Sequence, residues 1–179
     1  MAREYEVDGS IFAFPEGWMV EKLDEWPEQT RLTPDPFNSK GCDLVALQDD
    51  TLWLVEAKDY TYPGARVPAD LARQVSIKVF HSLAVLHAAA RWGDGQNKTF
   101  SAKALTVREA RVCLAVELPD GGRKLQEVAT PLAALLTELK KAIKPLGVHR
   151  PLVSNSHLLN GVPWVVRRDP GTRSRHLDR

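Results

Sequence analysis

The sequence predicts an α/β (α+β) fold, a central mixed β-sheet flanked by helices, and three stretches carry that expectation. GCDLVALQDDTLWLVEAKDY, residues 41–60, reads as two strands joined by a tight turn. CDLVAL and TLWLVEAK are rich in Leu, Val and Trp, and Gln48, Asp49 and Asp50 between them supply the turn. From Pro68 to Trp92, Leu71, Val75, Val79, Leu83, Leu86 and Ala90 recur at helical spacing, so one face of a long helix should lie on the sheet. RVCLAVEL, 111–118, is a further apolar strand.

At 179 residues the chain fits a single domain, 1–179, able to bury roughly 70% of its unfolded surface. A formal net charge of +1 excludes a strongly basic protein, so any nucleic-acid contact must come from a local basic patch. Cys42 and Cys113 each sit in an apolar run, as small buried hydrophobes do in a reducing compartment. No apolar run approaches the ~20 residues a membrane span needs, and MAREYEVDGS lacks signal-peptide character. The expectation is a cytoplasmic protein without a membrane partner.

Taken in order, residues 1–14 are mixed, with SIFAF a short strand or a segment packed on the core. Gly17 to Trp26 fits a strand through Trp18, Val20 and Leu23, or a helical turn through Trp18, Glu21, Lys22 and Glu25. Pro27 to Lys40, with its prolines and turn formers, reads as loop. After Lys58, the loop DYTYPGARVP carries Tyr60, Tyr62 and Arg66, which suit either base stacking and phosphate contact or packing against the hairpin. The long helix follows, with Pro68 in its first turn and Gly93 at its C-terminal cap. Asp70, Gln74, Lys78 and His81 form a separate polar line along it. GDGQNK, 93–98, reads as loop, and KALTVRE as a strand or an irregular lead-in to 111–118. Pro119 to Gly122 is a turn. Thr130 and Pro131 are placed to open a second helix whose apolar stripe is Leu132, Leu135, Leu136, Leu139 and Ile143. VPWVVRR suits a short strand added to the sheet's edge, and a mobile basic tail is expected from about residue 168.

The chemistry concentrates on the 41–60 hairpin. Side chains alternate across a strand, so Leu52, Leu54, Glu56 and Lys58 share one face, and Trp53, Val55 and Ala57 the other. Both faces are apolar until Glu56. An antiparallel pairing brings Asp43, near the start of the preceding strand, close to Glu56 and Lys58. Two carboxylates and an ammonium converging at a sheet's edge make a hard-cation site beside a positive donor. The plainer account is that Glu56 and Lys58 simply pair with each other.

Asp43, then Glu56-Ala57-Lys58 after twelve intervening residues, resembles the signature of the PD-(D/E)xK nuclease superfamily, the restriction-endonuclease-like fold. The likeness rests on about twenty residues plus the order of elements across roughly 15–145. Cys42 stands where the family has proline, a position that ligates no metal. The resemblance implies metal-dependent hydrolysis of nucleic acid, DNA in preference to RNA. Asp43 and Glu56 would then hold Mg²⁺ (or Mn²⁺), with the Ala57 carbonyl as a third ligand and Lys58 as the catalytic cation. It also implies an accessory acidic residue upstream, Glu21, Asp24 or Glu25, among which the sequence does not choose. The helix after the Glu-x-Lys strand often adds a Gln or basic residue, and Gln74 and Lys78 match by position. An ordinary solvent face explains those two equally simply.

Other chemistry finds no support. Histidines 81, 87, 149, 157 and 176 form no H-x-x-x-H pair, and neither a Gly-x-Ser-x-Gly elbow nor a phosphate-binding loop occurs. The resemblance implies a Mg²⁺-dependent endonuclease that binds DNA, as a homodimer or with a targeting partner. The alternative is a catalytically inactive nuclease-fold subunit that binds DNA or a partner protein.

Overall fold

The computed structural model describes residues 2–119 and 125–169, with the backbone alone for 125–129. The fold is α+β. Strands β1 (Arg3–Val7), β2 (Ser10–Phe14) and β3 (Met19–Lys22) lead into a short helix α1 (Pro27–Leu32) and the hairpin β4 (Leu44–Gln48) and β5 (Thr51–Asp59). Helices α2 (Leu71–Trp92) and α3 (Gly95–Ala104) follow, then β6 (Glu109–Glu117), α4 (Leu125–Ile143), β7 (Leu152–Ser154) and β8 (Val165–Arg168).

A five-stranded mixed sheet, in the order β3-β4-β5-β6-β7, forms the centre. β4 pairs antiparallel with its neighbours β3 and β5, whereas β6 runs parallel to both β5 and β7. A second, antiparallel sheet has the order β1-β2-β8. Alternation along β5 builds two cores. Leu52 and Leu54 join the helix-side core with Leu71, Val75, Val79 and Leu86 of α2. Trp53, Val55 and Ala57 join the other core with Phe12, Phe14, Val166 and Trp164 against the small sheet. The molecule is layered as helices, large sheet and small sheet, and β5 is covered on both faces, as its continuous apolar character requires.

Several local expectations are settled or corrected. Residues 17–26 resolve as strand β3 followed by a 3₁₀ turn, Leu23–Glu25, and the stretch read as loop from Pro27 begins with α1. GDGQNK opens α3, which docks Phe100 edge-on to Trp26 at 5.8 Å between ring centroids; this tertiary contact overrides weak local propensity. The last long helix starts at Leu125, so Pro131 lies inside it instead of at its first position. On α2 the buried stripe runs through Ser82, Val85 and Ala89, leaving Leu83 and Ala90 half-buried. Arg167 and Arg168 belong to β8, on the edge of the small sheet. The expected mobile tail beyond 169, and most of the 119–122 turn, lie outside the described residues. No helix among the described residues is long and apolar enough to cross a membrane.

Candidate active site

Asp43 immediately precedes β4, and Glu56 and Lys58 lie near the end of β5, so the hairpin register places all three at one end of the sheet. The β4 ladder reaches Leu44 opposite Val55. One step beyond it, the Ala57 N–H donates to Asp43 Oδ2 at 2.8 Å. The carboxylate thus caps the open end of the ladder. A strand residue's N–H and C=O point to the same edge, so the Ala57 carbonyl also faces the Asp43 side.

Glu56 is fully buried. A buried carboxylate must be paired, and Glu56 Oε1 lies 2.6 Å from Lys58 Nζ and 2.6 Å from Lys78 Nζ. Both contacts are close ion pairs. Glu56 Oε2 is buried with no hydrogen-bond partner. Lys78 Nζ also lies 3.7 Å from Asp43 Oδ1. Two carboxylates and two ammoniums therefore interlock, with formal charges that cancel. Glu56 sits at the back, while the side chains of Asp43, Lys58 and Lys78 keep 23–27% of their surface open to solvent.

Burial, reinforced by the Asp43 charge, pushes the Glu56 carboxyl up to about 7 against the pull of Lys78 and Lys58. Burial works against both ammoniums, but the Glu56 and Asp43 charges outweigh it and hold Lys58 and Lys78 above the ordinary lysine value. Asp8 forms the far flank. Its carboxylate accepts the Asp59 N–H at 2.9 Å and is itself raised, chiefly by burial.

The loop before β4 is held by residues that the sequence did not single out. Ser82 Oγ accepts the Cys42 N–H at 2.7 Å and donates to the Lys78 carbonyl at 2.9 Å, fixing α2 to the start of β4. Gln29, buried in α1, donates to the Ser39 carbonyl at 2.8 Å and accepts the Gly41 N–H at 3.2 Å. Gly41 permits this approach: a Cβ there would lie 3.0 Å from Gln29 Oε1 and 3.2 Å from Ser82 Oγ. The one available signal was a polar residue on an apolar helix face, namely Ser82 between Val79 and Leu86.

Of the predicted accessory residues, Lys78 is in the site and Gln74 is not: its amide bonds Asp70 at 2.8 Å on the exposed face of α2. Glu21, on β3, bonds Gln96, and Glu25 faces solvent 3.7 Å from Lys22. Neither reaches the cluster: Glu21 is on β3, which β4 separates from β5, and Glu25 is exposed in the 3₁₀ turn. Asp24 lines an open cleft of about 620 Å³ that also exposes Asp43 and Lys78. Tyr60 is buried in the helix-side core, and Tyr62 remains exposed.

The arrangement fits a small hard cation in its donor types. Asp43, the unpartnered Glu56 Oε2 and the Ala57 carbonyl are all oxygen donors, and Mg²⁺ needs only one or two carboxylates beside waters and phosphate oxygens. Among the described residues no group of three or more His, Cys, Asp or Glu side chains is placed to hold a metal. The protein would therefore supply few ligands.

No protein-family model matches the chain, and no solved structure matches it. The chain is similar to the cysteine–tRNA ligase of Neisseria meningitidis serogroup A / serotype 4A (strain DSM 15465 / Z2491). The two are 30% identical over 198 aligned positions, which take in 87% of this chain and 28% of that protein. The chain thus spans little more than a quarter of the relative's length.

Proposed function

We propose that this chain is a metal-dependent nuclease of the PD-(D/E)xK kind, cutting phosphodiesters in nucleic acid and DNA in preference to RNA. The observation that carries this reading is the convergence of Asp43, Glu56 and Lys58 around a buried Glu56 oxygen that has no hydrogen-bond partner. Asp43, Glu56 and the Ala57 carbonyl would hold Mg²⁺, with Mn²⁺ as substitute. When bound, the metal would supply an activated water and charge stabilisation at the phosphate.

The chain's own residues do the rest. With two carboxylates matched by two ammoniums, the cluster is neutral, and a divalent ion would make it cationic enough to draw in a phosphate. Lys58 is held protonated, so it acts as an electrostatic donor to the phosphate oxygens and not as a base. Lys78, paired with both carboxylates, is the second cation. Water attacks phosphorus and gives up a proton to solvent, the bond to the leaving oxygen breaks, and that oxygen gains a proton from solvent. Cys42 and Cys113, both buried free thiols, suit a reducing cytoplasmic setting.

The test is cleavage of plasmid and oligonucleotides with Mg²⁺ or Mn²⁺. Cutting should stop with chelator and fall at least a thousandfold in Glu56→Gln and Asp43→Asn, with the folded spectrum retained. Metal-independent cutting, or full activity in both variants, rules the reading out.

A second reading is favoured by one finding, the short share of a longer relative that the chain covers. Under it the chain is a nuclease-fold subunit without catalysis that holds nucleic acid or a partner protein. The relative's name points to tRNA as the nucleic acid to try. Retention of tRNA that is indifferent to metal and to Glu56→Gln supports this reading over the first.

A further inference from the structure

We infer that the cleft beside the cluster is a subsite for one or two unpaired nucleotides, so the chain acts on single-stranded or locally opened nucleic acid. This deepens the nuclease reading and takes its scissile phosphate from it.

The cleft, about 620 Å³, is walled by Thr30 and Thr33 of the α1 region and by Pro34, Ser39 and Lys40 of the following loop, with Asp43 and Lys78 at its inner end. That volume lies within the ~300–1,000 Å³ range of small-molecule sites, which suits a nucleotide and not a duplex. Its shape is built in. Gln29 and Ser82 fix residues 39–42 through buried hydrogen bonds, and Lys40 N–H donates to His81 Nδ1 at 3.0 Å. The cleft is therefore set for its ligand without a closing motion.

Charge gives the strand a direction. On the far flank of Lys58 stands the Asp8 carboxylate, close enough to couple with both Lys58 and Asp43, and it repels phosphate. On the cleft side, Lys40 is exposed to a backbone, Lys78 is paired with Glu56 and Asp43, and Asp24 marks the wall a phosphate avoids. The same loop carries Phe37, 63% exposed, next to the turn whose Pro34 lines the cleft. An exposed ring beside a cleft whose lining includes Lys40 offers a platform on which an unstacked base can rest, and such stacking is sequence-tolerant. An enzyme that must reach one strand takes it single or opens the duplex.

The experiment measures binding of a fluorescein-labelled 12-nucleotide single strand and of the same sequence as a duplex, with Ca²⁺ in place of Mg²⁺, and then cleavage of both with Mg²⁺. The wild type should bind the single strand at least tenfold more tightly. Phe37→Ala, which removes the platform, and Thr30→Trp, which fills the cleft, should each weaken single-strand binding five- to tenfold and leave duplex binding unchanged. Trp92→Ala, a more exposed aromatic about four turns beyond Lys78 on α2, should change neither. Equal affinity for the two forms, or single-strand affinity untouched by both cleft variants, overturns the subsite even where Glu56-dependent cutting is present. The binding pattern without any metal-dependent cutting removes the nuclease reading and leaves the subsite standing. No binding of either form overturns both.

Discussion

The two faces of the central sheet are made by the same strand and do different things. On the small-sheet side, β5 contributes Trp53, Val55 and Ala57 to a closed aromatic core. Trp164 packs there on Phe14, Trp18 and Trp53 at 5.0–6.0 Å between centroids. On the helix side, Leu52 and Leu54 are equally buried, but the alternation then delivers Glu56 and Lys58. On the small-sheet face the apolar alternation runs on through Ala57 until Asp59 ends the strand, whereas on the helix side Glu56 interrupts it earlier. Chemistry is possible where it stops, because there a buried carboxylate must be answered by cations from another element. The answer comes from α2, through Lys78.

The sharpest separation of the two faces is in stability. Phe14→Ala empties the centre of the aromatic core, where Phe14 is fully buried against Tyr5, Trp18 and Trp164, and should cost about 3–5 kcal/mol. Urea unfolding checks it, and nuclease activity per folded molecule should be unaltered. A large fall in activity of the folded fraction would show that the two faces are not independent.

Next in size, Lys78→Met should lower kcat about a hundredfold, roughly 2.7 kcal/mol of transition-state stabilisation, with little change in KM. A solvent-face lysine would give no such split, so steady-state kinetics decides whether Lys78 belongs to the site. The methionine keeps the aliphatic stem, and the remaining Lys58 still pairs the Glu56 charge.

How much of this was legible is clearest at particular residues. The Asp43/Glu56/Lys58 cluster could be read directly, because a two-residue turn at Asp49-Asp50 fixes the register and period-2 alternation fixes the face. Lys78 was visible only as one member of a polar line. Gln74, one turn earlier, looked equivalent, but its amide turns back to Asp70 while Lys78 meets Glu56. Glu21 and Glu25 failed for a related reason: Gly17 to Trp26 fits strand and helix alike, and the chain there forms a strand that takes Glu21 to Gln96 and a 3₁₀ turn that leaves Glu25 exposed. The Asp8-Gly9 pair, with φ of 42° and 78°, makes a tight hairpin turn that joins β1 to β2 and delivers Asp8 to the site. That dipeptide was a readable turn signal, missed because only one of its flanking strands, SIFAF, is apolar. Gln29 and Ser82 matter through contacts between elements distant in the chain, which no local pattern encodes.

The two faces should also differ in their response to pH. Glu56 is raised to about 7 in the fold from an ordinary value of 4.5. A raised carboxyl binds its proton more tightly folded than unfolded, so its contribution to stability is present below about 4.5 and is lost as pH climbs through 7. Metal must displace that proton. Mn²⁺ affinity should therefore fall toward tenfold per pH unit below about 7 and level off above it, with nearly one proton released per ion bound at pH 6 and none at pH 8.5. Calorimetry in buffers of different ionisation heat measures the release. A flat profile would mean that Glu56 is not a ligand.

The smallest effect belongs to the closed face and tests whether charge there has any catalytic reach. Arg111 lies on β6 with its guanidinium 4.4 Å from the Trp53 ring centroid, across the sheet from the cluster. It is the nearest thing to a functional-looking cation on that side. Its partners are an aromatic face, the Glu109 carboxylate at 3.9 Å and the Arg150 carbonyl at 3.5 Å, so its role should be structural. Arg111→Leu keeps the packing stem and loses the cation–π contact, which should cost about 0.5–1 kcal/mol in urea unfolding and leave kcat and KM unchanged. Trp53 and Glu56 are three residues apart on one strand, so a kinetic effect from Arg111 would have to pass through the sheet itself. Silence in kcat with a measurable loss of stability is the outcome expected when alternation along β5 isolates the two sides.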